Sequence, residues 1–487
     1  MTVRLSDVMR RLAAANLLVG RADADPEIAG VTDDSRSVSP GDLFCAWQGT
    51  SFDSHDALPD VALAGAAAAL VERRVSASIP QVLVKDGRRA AAVGAAALLG
   101  DPQDSFRLAG VTGTNGKTTT VWLLRHVLAG RWQTAALGTL GVILPDGSVL
   151  EGSESLTTPG PVQLARTLRL LVDRGVEAVA METSSHALDQ GRVDALRFDV
   201  VVFTNLSRDH LDYHGTLEAY LEAKLALLRL VKVAGCAVVN ADDPAWAPVP
   251  GRVHHVVRFG AGPDADVRAH AVQLDEHGAR FECTWRGATF AVKAPLLGAF
   301  NVHNALAAIA AALSQGMTPE EVAVRIATVP QVPGRLERIA DTPCPVLRDY
   351  AHTPDALERV LATLRPLVRG RLIVVFGAGG DRDRGKRPLM GAAAEHGAHV
   401  AIVTSDNPRT ENPDAIIDEI VAGMSASPLR VTDRREAIAY ALRTAKSDDL
   451  VLLAGKGHET YQVLGSGVVS FDERVVVREV LAREGLA

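Results

Sequence analysis

Aromatic side chains are scarce in this chain, at 4% of 487 residues, and alanine and valine dominate its apolar set. Cysteines are scarcer still. Cys45, Cys236, Cys283 and Cys344 lie far apart, and no pair has the spacing of a metal or redox motif. That excludes a disulfide scaffold and points to reduced thiols. There is no excess of positive charge: the formal net charge is −7, which excludes a nucleic-acid backbone as partner. Long hydrophobic runs are missing as well. The apolar stretch from Val61 to Leu70 is too short to span a bilayer and runs into Glu72, Arg73 and Arg74. The first residues lack the apolar core of a signal peptide. No membrane insertion and a cytoplasmic location are therefore expected. Internal repeats and low-complexity tails are absent too.

The chain does contain a glycine-rich loop, Gly113-Thr114-Asn115-Gly116-Lys117-Thr118-Thr119. An apolar run from Phe106 to Val111 precedes it and a helical pattern to Leu128 follows. Strand, glycine turn and helix together form a phosphate site. Glycines admit backbone N–H groups to the phosphates, the helix start adds its positive end, and lysine adds a full charge. The common pattern has glycine at position 111, where this chain has Val111. ATP or GTP binding is expected.

Length alone suggests about three domains. Residues 1–104 mix short strands with alanine-rich helices and end in the linker-like Gly100-Asp101-Pro102. In 105–335, apolar strands alternate with helices. Val176–Met181 and Phe198–Phe203 read as buried parallel strands with polar C-terminal ends, where ligands bind in such sheets. Residues 250–295 read as an antiparallel appendage, and Asn301–Gln315 as a helix. A second α/β series fills 336–487, with strands Leu372–Phe376, Val400–Thr404 and Leu450–Ala454. Its Gly377-Ala378-Gly379-Gly380 turn lacks the full dinucleotide fingerprint. The expected fold is α/β: a central P-loop mononucleotide-binding domain with a parallel sheet, flanked by a small N-terminal α/β domain and a C-terminal Rossmann-like domain.

Mg²⁺ takes oxygen ligands and bridges phosphates. Thr118 is the natural hydroxyl ligand, with Glu182 and His210 at two neighbouring strand ends. Taken singly, Glu182 also reads as a helix-start carboxylate and His210 as a loop histidine, and Lys224 reads first as a solvated helical lysine.

The runs GTNGKTTT, METSSHAL, TNLSRDHLDYHGTLEAYLEAK, FNVHNALAA, GRLE, RDYAHTPDAL, GAGGDRDRGKRPLM, SDNPRTENP and AGKGHETYQ occur in this order. Together they cover most of the chain, and the set resembles the Mur ligase family of ATP-dependent amide-bond ligases. The resemblance is strongest to members that add the third residue of the cell-wall peptide. It implies ATP and Mg²⁺ as cofactors, and UDP-N-acetylmuramoyl-L-alanyl-D-glutamate and diaminopimelate as substrates, with the meso isomer expected. A monomer is also expected.

By this likeness Lys117, Glu182, His210, Lys224 and Arg335 are catalytic, and Lys224 carries a CO₂-derived carbamate that joins Thr118, Glu182 and His210 at the metal. Gly113 to Thr119, Asn304, Arg335 and Asp349 match nucleotide positions. Asp33 and Ser35, then Thr50, Ser51 and Phe52, match the uridine end. Thr157, Thr158, Ser184, Gln190 and Arg192 match the dipeptide end.

Diaminopimelate carries a distal carboxylate and a distal ammonium, which call for a bidentate cation and an anion. Arg382, Asn407 and Arg409 suit the first, and Glu459, beside Gly455, the second; by the family likeness the string Asp406-Asn407-Pro408-Arg409 matches the signature of the diaminopimelate-adding members. The rival readings are L-lysine or another diamino acid as substrate, a folylpolyglutamate-type ligase, and a non-catalytic nucleotide switch.

Overall fold

The computed structural model describes residues 2–49, 52–153, 156–426 and 428–485. It divides into two compact units, one of Met1–His270, Glu282–Val292 and His303–Ile326, the other of Ala271–Phe281, Lys293–Val302 and Ala327–Ala487. The architecture is α/β, with sheets of five, ten and six strands.

The five-stranded sheet of the first unit runs in the order Leu18–Gly20, Gln81–Val84, Ala68–Val71, Asp42–Cys45 and Gly30–Thr32. All neighbours are parallel except the first pair. The helices Leu5–Ala14 and Gly87–Leu98 cover it, burying Leu5, Val8, Leu12, Ala91 and Ala95 against Leu43, Leu70 and Val82. Val162 and Ala165 of the helix Pro161–Asp173 enter the same core. Leu164, Leu168 and Leu171 of that helix belong to the core of the next sheet. One helix thus serves both layers.

The ten-stranded sheet begins Gly141–Ile143, Thr134–Gly138, Ala178–Glu182, Arg107–Thr112, Phe198–Phe203, Val231–Asn240, Val256–Gly260. Its central strands Arg107–Thr112, Ala178–Glu182 and Phe198–Phe203 are buried almost end to end, as continuous apolar runs require. Val256–Gly260 continues the sheet in parallel with Val231–Asn240, and Val267–Asp275 pairs in parallel with it in turn. The expectation of an antiparallel appendage over 250–295 is corrected for Val256–Gly260 and its pairing with Val267–Asp275 alone: two short 3₁₀ turns between 244 and 251 return the chain to the same end of the sheet.

In the second unit the six strands lie in the order Glu337–Ala340, Val346–Asp349, Leu450–Ala454, Leu372–Phe376, Val400–Val403, Leu429–Arg430. Only the first runs antiparallel to its neighbour. Leu450–Ala454, in the middle, is wholly buried. Three buried arginines tie this unit together: Arg348 to Glu337 and Asp472, Arg387 to Glu411 and Glu419, and Arg434 to Glu473. Among the described residues no helix is long and apolar enough to cross a membrane.

Candidate functional site

The phosphate loop joins the strand Arg107–Thr112 to the helix Lys117–Leu128. Gly116 caps that helix in the left-handed region, at φ +82°, and a Cβ there would lie 2.3 Å from Asn304 Oδ1. At Gly113 a Cβ would meet Thr204 Oγ1 at 1.9 Å. Both positions need the bare backbone. The loop is pinned from the next strand end: Asn115 N donates to Asn205 Oδ1 at 2.9 Å, Thr204 Oγ1 donates to the Asn115 carbonyl at 2.7 Å, and Ser207 N donates to Thr114 Oγ1 at 2.9 Å. Lys117 Nζ folds back to the carbonyls of Gly113 and Thr114. Thr118 and Thr119 are buried behind it.

Lys224 reaches the same loop. Thr216 Oγ1 accepts from Ala219 N and starts the helix Leu217–Leu225, whose last turn delivers the lysine. Its side chain is 1% exposed, lies 4.3 Å from the centre of the Tyr220 ring, and donates to the Gly113 carbonyl at 2.8 Å. Burial drives the ammonium well below its ordinary pKa, and Lys117 adds to the effect. This is not the solvated surface lysine of the isolated reading.

Glu182 is the last residue of its strand and is 1% exposed. Thr139 holds it through its N–H at 2.8 Å and its hydroxyl at 3.3 Å. His210 sits in the left-handed region, at φ 51°, before the helix Leu211–His214. Its ring meets His186 edge-on at 4.8 Å, and His186 lies 5.4 Å from His214. Burial depresses His210, with Lys117 and Lys224 lowering it further against Asp209. His186 is held down to about 4 by burial and by the neighbouring His210 and His214. Sequence reasoning missed Thr139, His186, His214 and Tyr220. Both flanking histidines were present in the quoted motifs, but no spacing rule brings their rings together.

The dipeptide candidates form one hydrogen-bonded network. Thr158 Oγ1 donates to the Glu182 carbonyl at 2.9 Å and accepts from Ser184 N at 3.1 Å. Arg192 donates to the Thr158 carbonyl and, through two nitrogens, to Gln190 Oε1. Thr157 lies 3.2 Å from the Thr139 hydroxyl. On the N-terminal sheet, Asp33 is pushed up by burial, and a Cβ at Gly160 would lie 3.8 Å from its Oδ2. Ser35 opens a short 3₁₀ turn capped by Asp34. Phe52 is 60% exposed. Thr50 and Ser51 lie outside the described residues.

Of the adenosine candidates, Asn304 borders the phosphate loop at Gly116. Arg335 and Asp349 belong to the second unit. Burial raises Asp349, with Arg335 opposing, and the carboxylate accepts from Leu336 N and Ala351 N. Arg335 stacks 4.7 Å from the centre of the Tyr350 ring.

The amino-acid candidates converge at the C-terminal ends of neighbouring strands. Asn407 Nδ2 donates to Glu459 Oε2 at 2.9 Å. Arg409, in the left-handed region at φ 55°, donates to the carbonyls of Gly380 and Asn407. A Cβ at Gly379 would lie 3.0 Å from Arg409 NH1 and 3.8 Å from Arg382 Cγ, so the two arginines flank one bare turn. Gly455, at φ +115°, makes room for Asp406: a Cβ there would be 2.3 Å from its Oδ2. Gly380 packs against the Pro408 carbonyl in the same way. Burial raises Glu459 while Asn407 opposes. Lys456 lies at the centre of this group and was missed, although the Gly455-Lys456-Gly457 turn was evident in the sequence.

A Mur ligase middle domain profile matches residues 111–312, and a Mur ligase glutamate ligase domain profile matches 334–457. UDP-N-acetylmuramoyl-L-alanyl-D-glutamate–2,6-diaminopimelate ligase of Geobacillus kaustophilus is 44% identical, over 95% of this chain and 96% of that protein. The ligase of the same name from Listeria monocytogenes is 39% identical over the whole of both chains. A solved structure of a ligase of that name aligns over all of both chains with a TM-score of 0.71 and 34% identity.

Proposed function

The chain belongs to the Mur ligase family, and on that premise we propose that it joins diaminopimelate to UDP-N-acetylmuramoyl-L-alanyl-D-glutamate at the expense of ATP. The observation that carries the acceptor choice is the amino-acid constellation. The buried Asn407 and the half-buried Arg409 offer donors, and the half-buried Glu459 offers an acceptor, within one cluster of turns. A distal carboxylate and a distal ammonium on one substrate are complementary to that set.

A carboxylate is a poor acyl donor. Transfer of the ATP γ-phosphoryl group to the glutamate side-chain carboxylate gives an acyl phosphate and ADP. The substrate amine then attacks the acyl carbon, forms the amide bond, expels phosphate and releases a proton. Positioning and charge screening supply most of the catalysis. The loop Gly113–Thr119 cradles phosphates through its N–H groups, and Lys117 is placed to turn from its carbonyl partners to phosphate oxygens. Asn304, Arg335 and Asp349 take the adenosine side. Thr157, Thr158, Ser184, Gln190 and Arg192 hold the dipeptide, while Asp33, Ser35, Thr50, Ser51 and Phe52 hold the uridine end.

The candidate donors, from three separate segments, are of the kind Mg²⁺ takes: a threonine hydroxyl, a buried carboxylate and an imidazole depressed toward its neutral form. Thr118, Glu182 and His210 would hold it, with Lys224 as its carbamate. Bound there, it supplies neutralisation of phosphate charge. Lys224 suits carbamylation, because a buried, depressed amine is neutral and can add CO₂ with loss of one proton. ATP and a nucleotide-linked sugar place the reaction in the cytoplasm.

The test is ADP release by the purified enzyme with the UDP-linked dipeptide and each of diaminopimelate, L-lysine and ornithine. Turnover is expected to require diaminopimelate. Equal or faster turnover with L-lysine sinks the acceptor assignment.

A further inference from the structure

The proposed chemistry leaves Lys456 without a task, yet its side chain is fully buried in the amino-acid cluster. Its Nζ donates to Asn407 Oδ1 at 3.0 Å and to the Tyr461 carbonyl at 2.8 Å. Two carboxylates lie close by, Glu459 Oε2 at 3.5 Å and Asp406 Oδ1 at 4.0 Å. One ammonium therefore joins three segments: the turn after Val400–Val403, its own turn after Leu450–Ala454, and the start of the hairpin Tyr461–Ser470.

The hydrogen bonds fix a direction. Asn407 Oδ1 accepts both from Lys456 Nζ and from Val463 N at 2.9 Å. With its oxygen committed, the amide must turn its NH₂ toward Glu459. One of those two N–H groups bonds Glu459, and on the diaminopimelate reading the other would meet a substrate oxygen. Charge follows the same logic. Asp406 and Glu459 are like charges in a buried place, a situation that favours protonation of one of them. A buried cation between them opposes that.

We propose that Lys456 is a positioning residue that sets the polarity of the amino-acid subsite: it locks the Asn407 amide with its donors outward and keeps Glu459 anionic to receive the distal ammonium of the incoming diamino acid. The inference rests on the diaminopimelate reading above. Burial lowers the Lys456 ammonium; of the charged groups around it, Asp406, Glu459 and Glu473 favour its charge and Arg434 opposes it. Tyr350 also faces the two carboxylates Glu459 and Asp406, with Arg335 and Tyr461 beside it.

The experiment compares wild type, Lys456→Met and Lys456→Gln. KM for diaminopimelate and for ATP is measured from about pH 6 to about pH 9.5, upward from neutrality because a raised carboxyl group ionises more fully as pH rises. Wild type is assayed first: no turnover with diaminopimelate sinks the parent reading, whatever Lys456 does. Given wild-type turnover, Lys456→Met is expected to raise KM for diaminopimelate roughly 10- to 100-fold near neutrality, as an unsatisfied buried polar group does. KM for ATP should stay within about twofold, well below that effect. The deficit should shrink as pH rises and Glu459 ionises without help. Lys456→Gln keeps a donor for Asn407 and should show a smaller deficit with the same pH trend. An unchanged KM, a pH-independent deficit, an equal rise for ATP, or loss of the far-ultraviolet dichroism of the fold in both variants would each overturn the proposal, the last by making the lysine purely structural.

Discussion

Lys117 and Lys224 donate to one and the same oxygen, the Gly113 carbonyl, at 2.9 and 2.8 Å. Two ammonium groups sharing an acceptor repel each other, and the deeper one yields: burial first and Lys117 second depress Lys224. On the proposed reading the pair would provide one cation for phosphate and one neutral amine for CO₂.

Replacing Lys224 with alanine is expected to lower kcat roughly 100-fold, the scale on which metal sites lose function when a supporting group is removed. Formate or acetate should restore part of the rate by supplying the missing carboxylate. Phosphate release with and without added acid is the measurement, and full activity of Lys224→Ala refutes the carbamate.

Arg409→Ala should raise KM for diaminopimelate by an amount equivalent to about 2–5 kcal/mol, the cost of stripping a buried carboxylate of its partner. KM for ATP should move little. Parallel changes in both constants would remove Arg409 from the acceptor site.

Gly116→Ala places a Cβ 2.3 Å from Asn304 Oδ1 on a backbone at φ +82°. The left-handed conformation alone costs about 1–2 kcal/mol with a side chain present. ATP affinity, read by calorimetry, should fall more than about tenfold once the clash is added. An unchanged Kd shows that the loop relaxes without loss.

The phosphate loop was legible because its signal is local: an apolar strand, glycines and a helix in one short stretch. Phe198–Phe203, Leu372–Phe376 and Leu450–Ala454 appear as read, since runs buried on both faces have no competing pattern. Glu182 ends its strand as read, but that strand starts at Ala178 and not at Val176, a boundary shift that periodicity does not resolve. Lys456 and the three imidazoles were not legible as a group. Their meaning comes from contacts between distant turns, and a lone lysine or histidine in a glycine-rich turn looks like surface. Arg409 and Glu459 were paired through the family likeness alone, and their link through Asn407 emerges only from the folded backbone.

Stability should fall as pH drops from about 6.5 toward 4. His126, His186 and His458 are each held down to about 4 from 6.5, with burial the leading cause. Between those values the unfolded chain binds protons that the native state refuses, so acid favours unfolding, and the effect levels off below the folded pKa. Urea titrations across this window should show a falling midpoint, and His458→Gln should flatten it. An unchanged slope in that variant would show that His458 titrates normally.

The fully buried Arg434–Glu473 pair gives a different test. Arg434→Met leaves a buried carboxylate uncompensated and should cost about 3–5 kcal/mol, read as a lower Tm. Adding Glu473→Leu should recover most of the loss. A double variant as unstable as the single one would mean that the arginine matters through its bond to the Ala454 carbonyl instead.

The helix Pro161–Asp173 buries Val162 and Ala165 in the core of the N-terminal sheet, and Leu164, Leu168 and Leu171 in that of the central sheet. On the proposed reading, the uridine grip and the reacting carboxyl are then the two ends of a ruler, with this helix as its rigid bar. A muramyl peptide one residue too short or too long still presents the same sugar nucleotide, but its reacting carboxyl would miss the phosphate loop. Selection for the right stage of chain growth would thus be a measurement of length, made before any amino acid arrives.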